Sequence, residues 1–228
     1  MLTIQAIPAF KDNYIWFIQL EGSQKVIIVD PGDAAPVIQT LKDHALVPIA
    51  LLITHGCHDH VGGIEMIIKQ YDLPIYGPSN EFIPYISHPL SECDDLVIDD
   101  TFPAIQVLDL PGHTKGHIGF LMAGNLFCGD TLFGAGCGRL HSGPAEVLFN
   151  SLQVIAQLPE ETNIYCAHEY TENNLRFASM IEPDNDDIKQ RISDTAQMRQ
   201  QGKPSIPSTL RVELATNPFL RCDQVRGY

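Results

Sequence analysis

Thr54-His55-Gly56-Cys57-His58-Asp59-His60-Val61-Gly62-Gly63 is the stretch whose reading decides the fold. Three histidines, a cysteine and an aspartate, all transition-metal ligands, fall between residues 55 and 60. The apolar run Ile49-Ala50-Leu51-Leu52-Ile53 before them reads as a buried strand, and Gly62 and Gly63 open a helix over 64–70. A polar cluster at the C-terminal end of a buried strand is where open α/β sheets place their chemistry. At this density, imidazole, thiolate and carboxylate read as a zinc or iron site rather than as a solvated turn.

Outward from this stretch the chain alternates. Residues 3–8, 14–19 and 25–29 are short β-branched or aromatic runs separated by turn residues, and Asp30-Pro31-Gly32-Asp33 caps a helix over 35–44. Further strands are expected at 96–98, 105–110, 118–122, 126–128 and 163–167, with a helix at 146–158. The predicted class is α/β, two mixed sheets sandwiched between helices. From residue 172 the pattern turns helical, over 174–181 and 187–201, and Gly202 and Pro204 end the second helix. We therefore expect a core domain over 1–171 and a small helical cap over 172–228.

Composition narrows the function. With 228 residues, 44% of them hydrophobic, the chain can bury a large core. No window approaches the roughly 18 apolar residues of a membrane helix, and Met1-Leu2-Thr3-Ile4-Gln5 lacks a basic leader, so a cytoplasmic protein without membrane contact is expected. Six scattered cysteines fit reduced thiols better than a disulfide framework. The net charge of −14 disfavours nucleic acid. That charge is uneven: residues 1–175 carry 6 Lys/Arg against 21 Asp/Glu, and 176–228 carry 8 against 7. An anionic substrate would find its attraction in metal ions and in the C-terminal region.

Three further ligand-type residues follow predicted strands: His113 in Pro111-Gly112-His113-Thr114, Asp130 in Gly129-Asp130-Thr131, and His168 in His168-Glu169-Tyr170. A lone histidine is more often a core or surface group than a ligand. The same context repeated four times reverses that expectation, because a sheet edge gathers distant residues into one site.

These segments resemble the metallo-β-lactamase superfamily and, within it, glyoxalase II, the hydroxyacylglutathione hydrolases. The family's T-H-x-H-x-D-H falls on Thr54 to His60, its P-G-H-T on Pro111 to Thr114, its G-D-T-L-F-x-x-G-C-G-[RK] on Gly129 to Arg139, and its A-H-E-Y-T on Ala167 to Thr171. The resemblance extends over 7–14 and 217–221 and so covers nearly the whole chain. It implies an αββα sandwich over 1–171 as the catalytic domain, with a small C-terminal helical substrate-binding region over 172–228. It also implies two divalent metal ions, zinc favoured over iron or manganese. His55, residue 57 and His113 would hold one ion and Asp59, His60 and His168 the other, with Asp130 bridging. A hydroxide shared by the ions, oriented by Asp59, would attack the thioester of S-D-lactoylglutathione, giving glutathione and D-lactate in methylglyoxal detoxification. Arg139, Tyr170 and, less strongly, His141 are the implied glutathione contacts, and a monomer is expected.

Two departures from the family pattern matter. Cys57 stands where the family has a histidine ligand, and Gly56 replaces a common histidine that is not a ligand. Thiolate binds zinc well, yet an anionic ligand beside Asp59 and Asp130 would leave the ions less able to acidify water. Secondly, the chain runs only seven residues past Arg221, and Arg226 is the one basic residue there, so weaker glutathione affinity is expected unless Lys203, Arg211 or Arg221 compensates. Two alternatives remain open at this point, a mononuclear iron persulfide dioxygenase and a non-catalytic binder of glutathione conjugates. The presence of Asp59, His60 and His168 favours a second metal site and hence the hydrolase. His44 and His88 read as solvent-facing, Trp16 as core, and Cys128, Cys137 and Cys166 as small buried groups. His117 either packs or supports a ligand by a hydrogen bond.

Overall fold

In the computed structural model, which describes residues 1–92, 95–141 and 143–222, the chain opens on β1 (Leu2–Ala9), β2 (Asn13–Leu20) and β3 (Lys25–Val29). These three pair antiparallel in chain order. Helix α1 (Ala34–Asp43) then crosses over to β4 (Val47–Leu52), which lies parallel to β3. Asp33 caps α1 by accepting the Ala35 amide, satisfying one of the free N–H groups at the helix start. After β4 come two short helices, α2 (His58–Val61) and α3 (Ile64–Ile68), then the parallel strands β5 (Ile75–Pro78) and β6 (His88–Leu90). These six strands form the first sheet in sequence order.

The second sheet takes β7 (Asp95–Leu96), β8 (Ile105–Asp109), β9 (Ile118–Met122) and β10 (Asn125–Gly129), all antiparallel neighbours. A small hairpin of β11 (Leu132–Phe133) and β12 (Gly136–Cys137) and helix α4 (Ala145–Ala156) lead to β13 (Asn163–Cys166), parallel to β10. Helices α5 (Thr171–Ile181) and α6 (Asp186–Gln200) follow. The edge strand β14 (Ser208–Thr209) then pairs with β13 before helix α7 (Leu210–Thr216).

Side chains of successive strand residues point to opposite faces, and β2 and β4 use both. Trp16, Ile18, Ala50 and Leu52 enter the core between the sheets, whereas Ile15, Phe17, Leu51 and Ile53 pack under α1 and α3 against Val37, Leu41, Ile64 and Ile67. That double burial explains why the run before Thr54 is uniformly apolar. The αββα sandwich expected from the alternation of elements is the observed fold. Trp16 lies in the core, its indole nitrogen donating to the Cys166 carbonyl across the sheets.

Several short elements were not anticipated. Strands of two or three residues carry no readable period, so β6, β11, β12 and β14 left no signal, and β7 ends at Leu96 rather than reaching residue 98. His88 therefore sits in β6 rather than in a loop, although it is exposed as expected. The C-terminal region is not purely helical, since β14 extends the second sheet. Cys137 is only half-buried, whereas Cys128 and Cys166 are fully buried. Cys93 and Arg226 lie outside the described residues.

The C-terminal helices are fixed to the sandwich by one buried carboxylate. Glu213 accepts from Arg191 Nη2 on α6 at 2.5 Å, from the Ala135 amide at 2.9 Å, from Asn217 Nδ2 at 3.2 Å and from the Ser208 hydroxyl. Burial alone would raise its pKa, but the Arg191 charge and these hydrogen bonds outweigh burial and hold it below the usual carboxylate range. A carboxyl with a depressed folded pKa contributes stability that is fully present above its unfolded pKa and is lost as pH falls toward the folded one. Stability to denaturant should therefore decline below about pH 4.3, the ordinary glutamate value. Glu213→Ala should cost about 3–5 kcal/mol by urea unfolding at neutral pH, because it strands the Arg191 charge. A loss under 1 kcal/mol would mean that the pair is not what fixes the region.

Candidate metal centre

Every ligand-type residue singled out in the sequence lies at one edge of the sandwich. His55 follows β4, His113 follows β8, Asp130 follows β10 and His168 follows β13. Three backbone hydrogen bonds join the two halves there: Tyr14 N to Ala167 O at 2.7 Å, Glu169 N to Asp12 O at 2.8 Å, and Ile118 N to Thr54 O at 2.9 Å. The strand ends are thereby held side by side. Helix α2, a single turn that begins when the Cys57 carbonyl accepts the His60 and Val61 amides, carries Asp59 and His60 into the same space.

Among the described residues three overlapping donor groups result, the donor atoms of each lying within 4.8 Å of one another: His55, Cys57 and His113; Asp59, His60 and His168; and Asp30, His55 and His60. In the third, Asp30 meets His60 from behind at Nδ1, so the first two are the groups that face the centre. Asp130 stands between them. Its Oδ2 is 3.5 Å from His113 Nε2, while its Oδ1 is 3.4 Å from both His60 Nε2 and His168 Nε2.

All four histidines are oriented from behind through Nδ1. His55 Nδ1 meets the Thr54 hydroxyl at 3.0 Å, His60 Nδ1 the Asp30 carboxylate at 2.9 Å, His113 Nδ1 the Arg139 carbonyl at 2.9 Å and His168 Nδ1 the Asp12 carboxylate at 3.1 Å. Each ring consequently presents Nε2 to the centre, the arrangement by which metal-binding imidazoles are held. Asp30 also accepts from the Thr54 amide and hydroxyl, so it lies behind the site as a support.

The centre is nevertheless incomplete as a hydrogen-bonded network. Among the described residues, His55 Nε2, His60 Nε2 and Asp130 Oδ1 are buried without a hydrogen-bond partner, even though the last two approach to 3.4 Å. Buried polar atoms are normally satisfied, and three orphans aimed at one point fit a cation there. Imidazole, thiolate and carboxylate together suit a divalent transition metal. Burial and the neighbouring His60 keep His55 neutral and able to donate a lone pair. Asp59 is held ionised chiefly by His168, with Asn13 Nδ2 3.0 Å from its Oδ2. Burial opposes ionisation of Asp130, but His60 and His168 outweigh it.

The floor opens into a cavity of about 560 Å³ whose wall includes Arg139, His141, Tyr170, Phe133 and Asn174. All three predicted substrate contacts line it. The Tyr170 ring stacks on His168 at 4.7 Å and meets Phe133 edge-on at 5.2 Å. Burial, with Asp12 adding, pushes its phenol up to about 12, so the hydroxyl remains a hydrogen-bond donor. Arg211 and Arg221 are paired elsewhere, with Glu160 and Glu161 and with Glu182, and neither they nor Lys203 lines this cavity.

Sequence reading missed the supporting residues. Asp12 and Asn13 lie in a segment read as a turn, and Asp30 in one read as a helix start. Asp30 directly follows β3, its amide still bonded to Leu52 of β4, so its position after a strand was the signal that could have found it. His117, left between packing and support, does both. Fully buried, it stacks on His55 at 4.7 Å, and its Nε2 accepts the Asp130 amide at 3.1 Å. Gly129 makes that turn at φ +49°, and a Cβ there would lie 2.4 Å from Thr54 Oγ1.

This fold with these donors at this edge is that of the metallo-beta-lactamase superfamily, whose profile matches residues 10–168. A second profile, described as the hydroxyacylglutathione hydrolase C-terminus, matches residues 169–227. A hydroxyacylglutathione hydrolase of Nitrosomonas europaea is 48% identical over 98% of this chain and 85% of its own length. One of Aliivibrio salmonicida is 49% identical over 98% and 88%. The chain belongs to the hydroxyacylglutathione hydrolase family. Among solved structures, BLEG-1 B3 metallo-beta-lactamase is similar with a TM-score of 0.72 at 23% identity, over 96% of this chain and 99% of that one. TTHA1623 in a di-iron-bound form gives 0.67 at 25% identity, over 96% and 100%. ETHE1 from Myxococcus xanthus gives 0.66 at 26% identity, over 75% and 76%.

Because Asp30 orients His60 directly and His55 through Thr54, Asp30→Ala should weaken metal binding by about 10–100-fold, most at the group that holds His60. Competition against a chromophoric chelator measures this. Unchanged binding of both equivalents would remove Asp30 from the support of the site.

Proposed function

We propose that the chain hydrolyses S-(2-hydroxyacyl)glutathione thioesters, S-D-lactoylglutathione first among them, to glutathione and the 2-hydroxy acid. That is the disposal step for methylglyoxal, and its setting would be the cytoplasm. The observation that carries this reading is the placing of Asp130 with one oxygen toward each of two donor groups, on the floor of a cavity walled by Arg139 and Tyr170.

In this reading His55, Cys57 and His113 would hold one divalent ion, Asp59, His60 and His168 the other, with Asp130 available to both. Such ions would supply an acidified water at neutral pH and polarisation of the thioester carbonyl. The protein's own groups do the rest. Asp59, its side chain 40% exposed at the cavity floor and held ionised, accepts a hydrogen bond from the attacking water and so aims it. Arg139 offers a fixed cation to a glutathione carboxylate, and the neutral Tyr170 hydroxyl donates beside it. Arg139 also holds His113 through its carbonyl, which couples the substrate wall to a ligand. The leaving thiolate, with an ordinary pKa of about 8.5, departs without prior protonation, so the pocket has no need of a general acid. His141 sets its ring edge-on to His113 at 4.8 Å and forms the adjoining wall.

Zinc is the metal this donor set favours. Cys57 Sγ lies 3.6 Å from His113 Nε2, and a thiolate there selects a softer ion than an imidazole would. Its negative charge also leaves the pair of ions less able to acidify water. The complete second group supports the two-metal hydrolase over a mononuclear iron dioxygenase.

Zinc-loaded protein should turn over S-D-lactoylglutathione, and chelator treatment should abolish the activity reversibly. Metal-loaded protein without turnover would remove the thioesterase reading and leave the conjugate-binding one. Cys57→His should raise turnover and extend activity to manganese and iron. An unchanged rate and metal preference would show that Cys57 does not shape the site.

A further inference from the structure

The supports described so far act on ring nitrogens, and they leave Cys57 out. Its side chain makes no helix-capping hydrogen bond, and among the described residues its sulfur approaches one hydrogen-bonding group, His113 Nε2 at 3.6 Å. What fixes its backbone comes from a third loop, between β5 and β6. Glu81, half-buried there, accepts the Gly56 amide on Oε1 at 2.9 Å and the Thr114 hydroxyl on Oε2 at 2.6 Å. Gly56 lies between His55 and Cys57, and Thr114 follows His113. One carboxylate therefore ties together the two loops that supply the first donor group, with one oxygen on each.

The packing around this tie leaves little slack. A Cβ at Gly56 would fall 2.7 Å from Glu81 Oε1 and 3.1 Å from Ile83 Cγ1. One at Gly116 would fall 2.7 Å from Glu81 Cβ and 2.9 Å from Glu81 N. Glycine on both loops is what lets Glu81 come so close. Ile83, buried to 6% exposure in the core beneath α1 and α3, anchors the segment from below. The glycine at position 56 thus has a structural counterpart: Glu81 occupies the space a side chain there would need.

We propose that Glu81 is the positioning residue of the first metal group, setting the separation of Cys57 and His113 through the Gly56 amide and the Thr114 hydroxyl. The role rests on the metal-site reading above and assigns Glu81 no contact with metal or substrate. The second group takes its hydrogen-bond support from Asp30, Asp12 and Asn13 and none from Glu81.

Stepwise zinc uptake by the full chain, measured against a chromophoric chelator, tests this with wild type, Glu81→Ala, Glu81→Gln and Thr114→Val. Wild type should take up two equivalents. Glu81→Ala should weaken one step by about 10–100-fold and leave the other unchanged. Glu81→Gln should restore it, because an amide can accept from the Gly56 N–H while donating to the Thr114 hydroxyl. Thr114→Val, which cuts one arm only, should weaken the same step by less, and it carries the test if Glu81→Ala does not fold. Wild-type protein that binds fewer than two equivalents overturns the metal-site reading itself. Two equivalents in wild type with unchanged steps in Glu81→Ala and Thr114→Val, or equal weakening of both steps, overturns the role of Glu81 alone.

Discussion

Four imidazoles turned to present the same ring nitrogen to one buried point are the constraint on which the rest of the structure depends. Without a cation that arrangement is costly: it buries polar atoms with no hydrogen-bond partner, and each such atom costs about 1–3 kcal/mol. His55 Nε2, His60 Nε2 and Asp130 Oδ1 are in that position. The fold maintains it by supporting each ring from behind with Thr54, Asp30, the Arg139 carbonyl or Asp12, and by joining the two sheets through backbone hydrogen bonds at that edge. The double-faced burial of β2 and β4 makes the edge rigid enough to hold the donors in place.

Charge then decides what can approach. The chain carries a net −14, so its overall field repels an anionic thioester. Attraction has to be local, and the cavity sets Arg139 and Tyr170 on the wall beside the donor groups. The C-terminal arginines that looked available in the sequence are committed to structure. Arg191 neutralises the buried Glu213, Arg221 pairs with Glu182, and Arg211 pairs with Glu160 and Glu161. The first two pairs lie within the C-terminal region and the third reaches Glu160 and Glu161 before β13, and none of these arginines lines the cavity.

The long apolar runs and the strand-end ligands were legible because each is a repeated local pattern. A strand such as 118–122 announces itself by composition, and His113, Asp130 and His168 by following one. The supports were not legible, because their meaning lies in pairings between distant segments. Nothing near Asp12 indicates that it meets a ring 156 residues away, and nothing near Glu81 indicates that it meets Gly56 and Thr114. Two-residue strands such as β14 were invisible for a related reason, since they exist only where another strand is already in place. Cys57 was visible as a departure from the family pattern, and the structure sets its sulfur among the other donors.

X-ray absorption at the zinc edge of fully loaded protein tests a two-metal centre with one thiolate arm most directly. A zinc–sulfur shell is expected at about 2.3 Å beside nitrogen and oxygen at about 2.0–2.2 Å, with the sulfur shell absent in Cys57→Ser. A spectrum with nitrogen and oxygen alone in the native protein would contradict it.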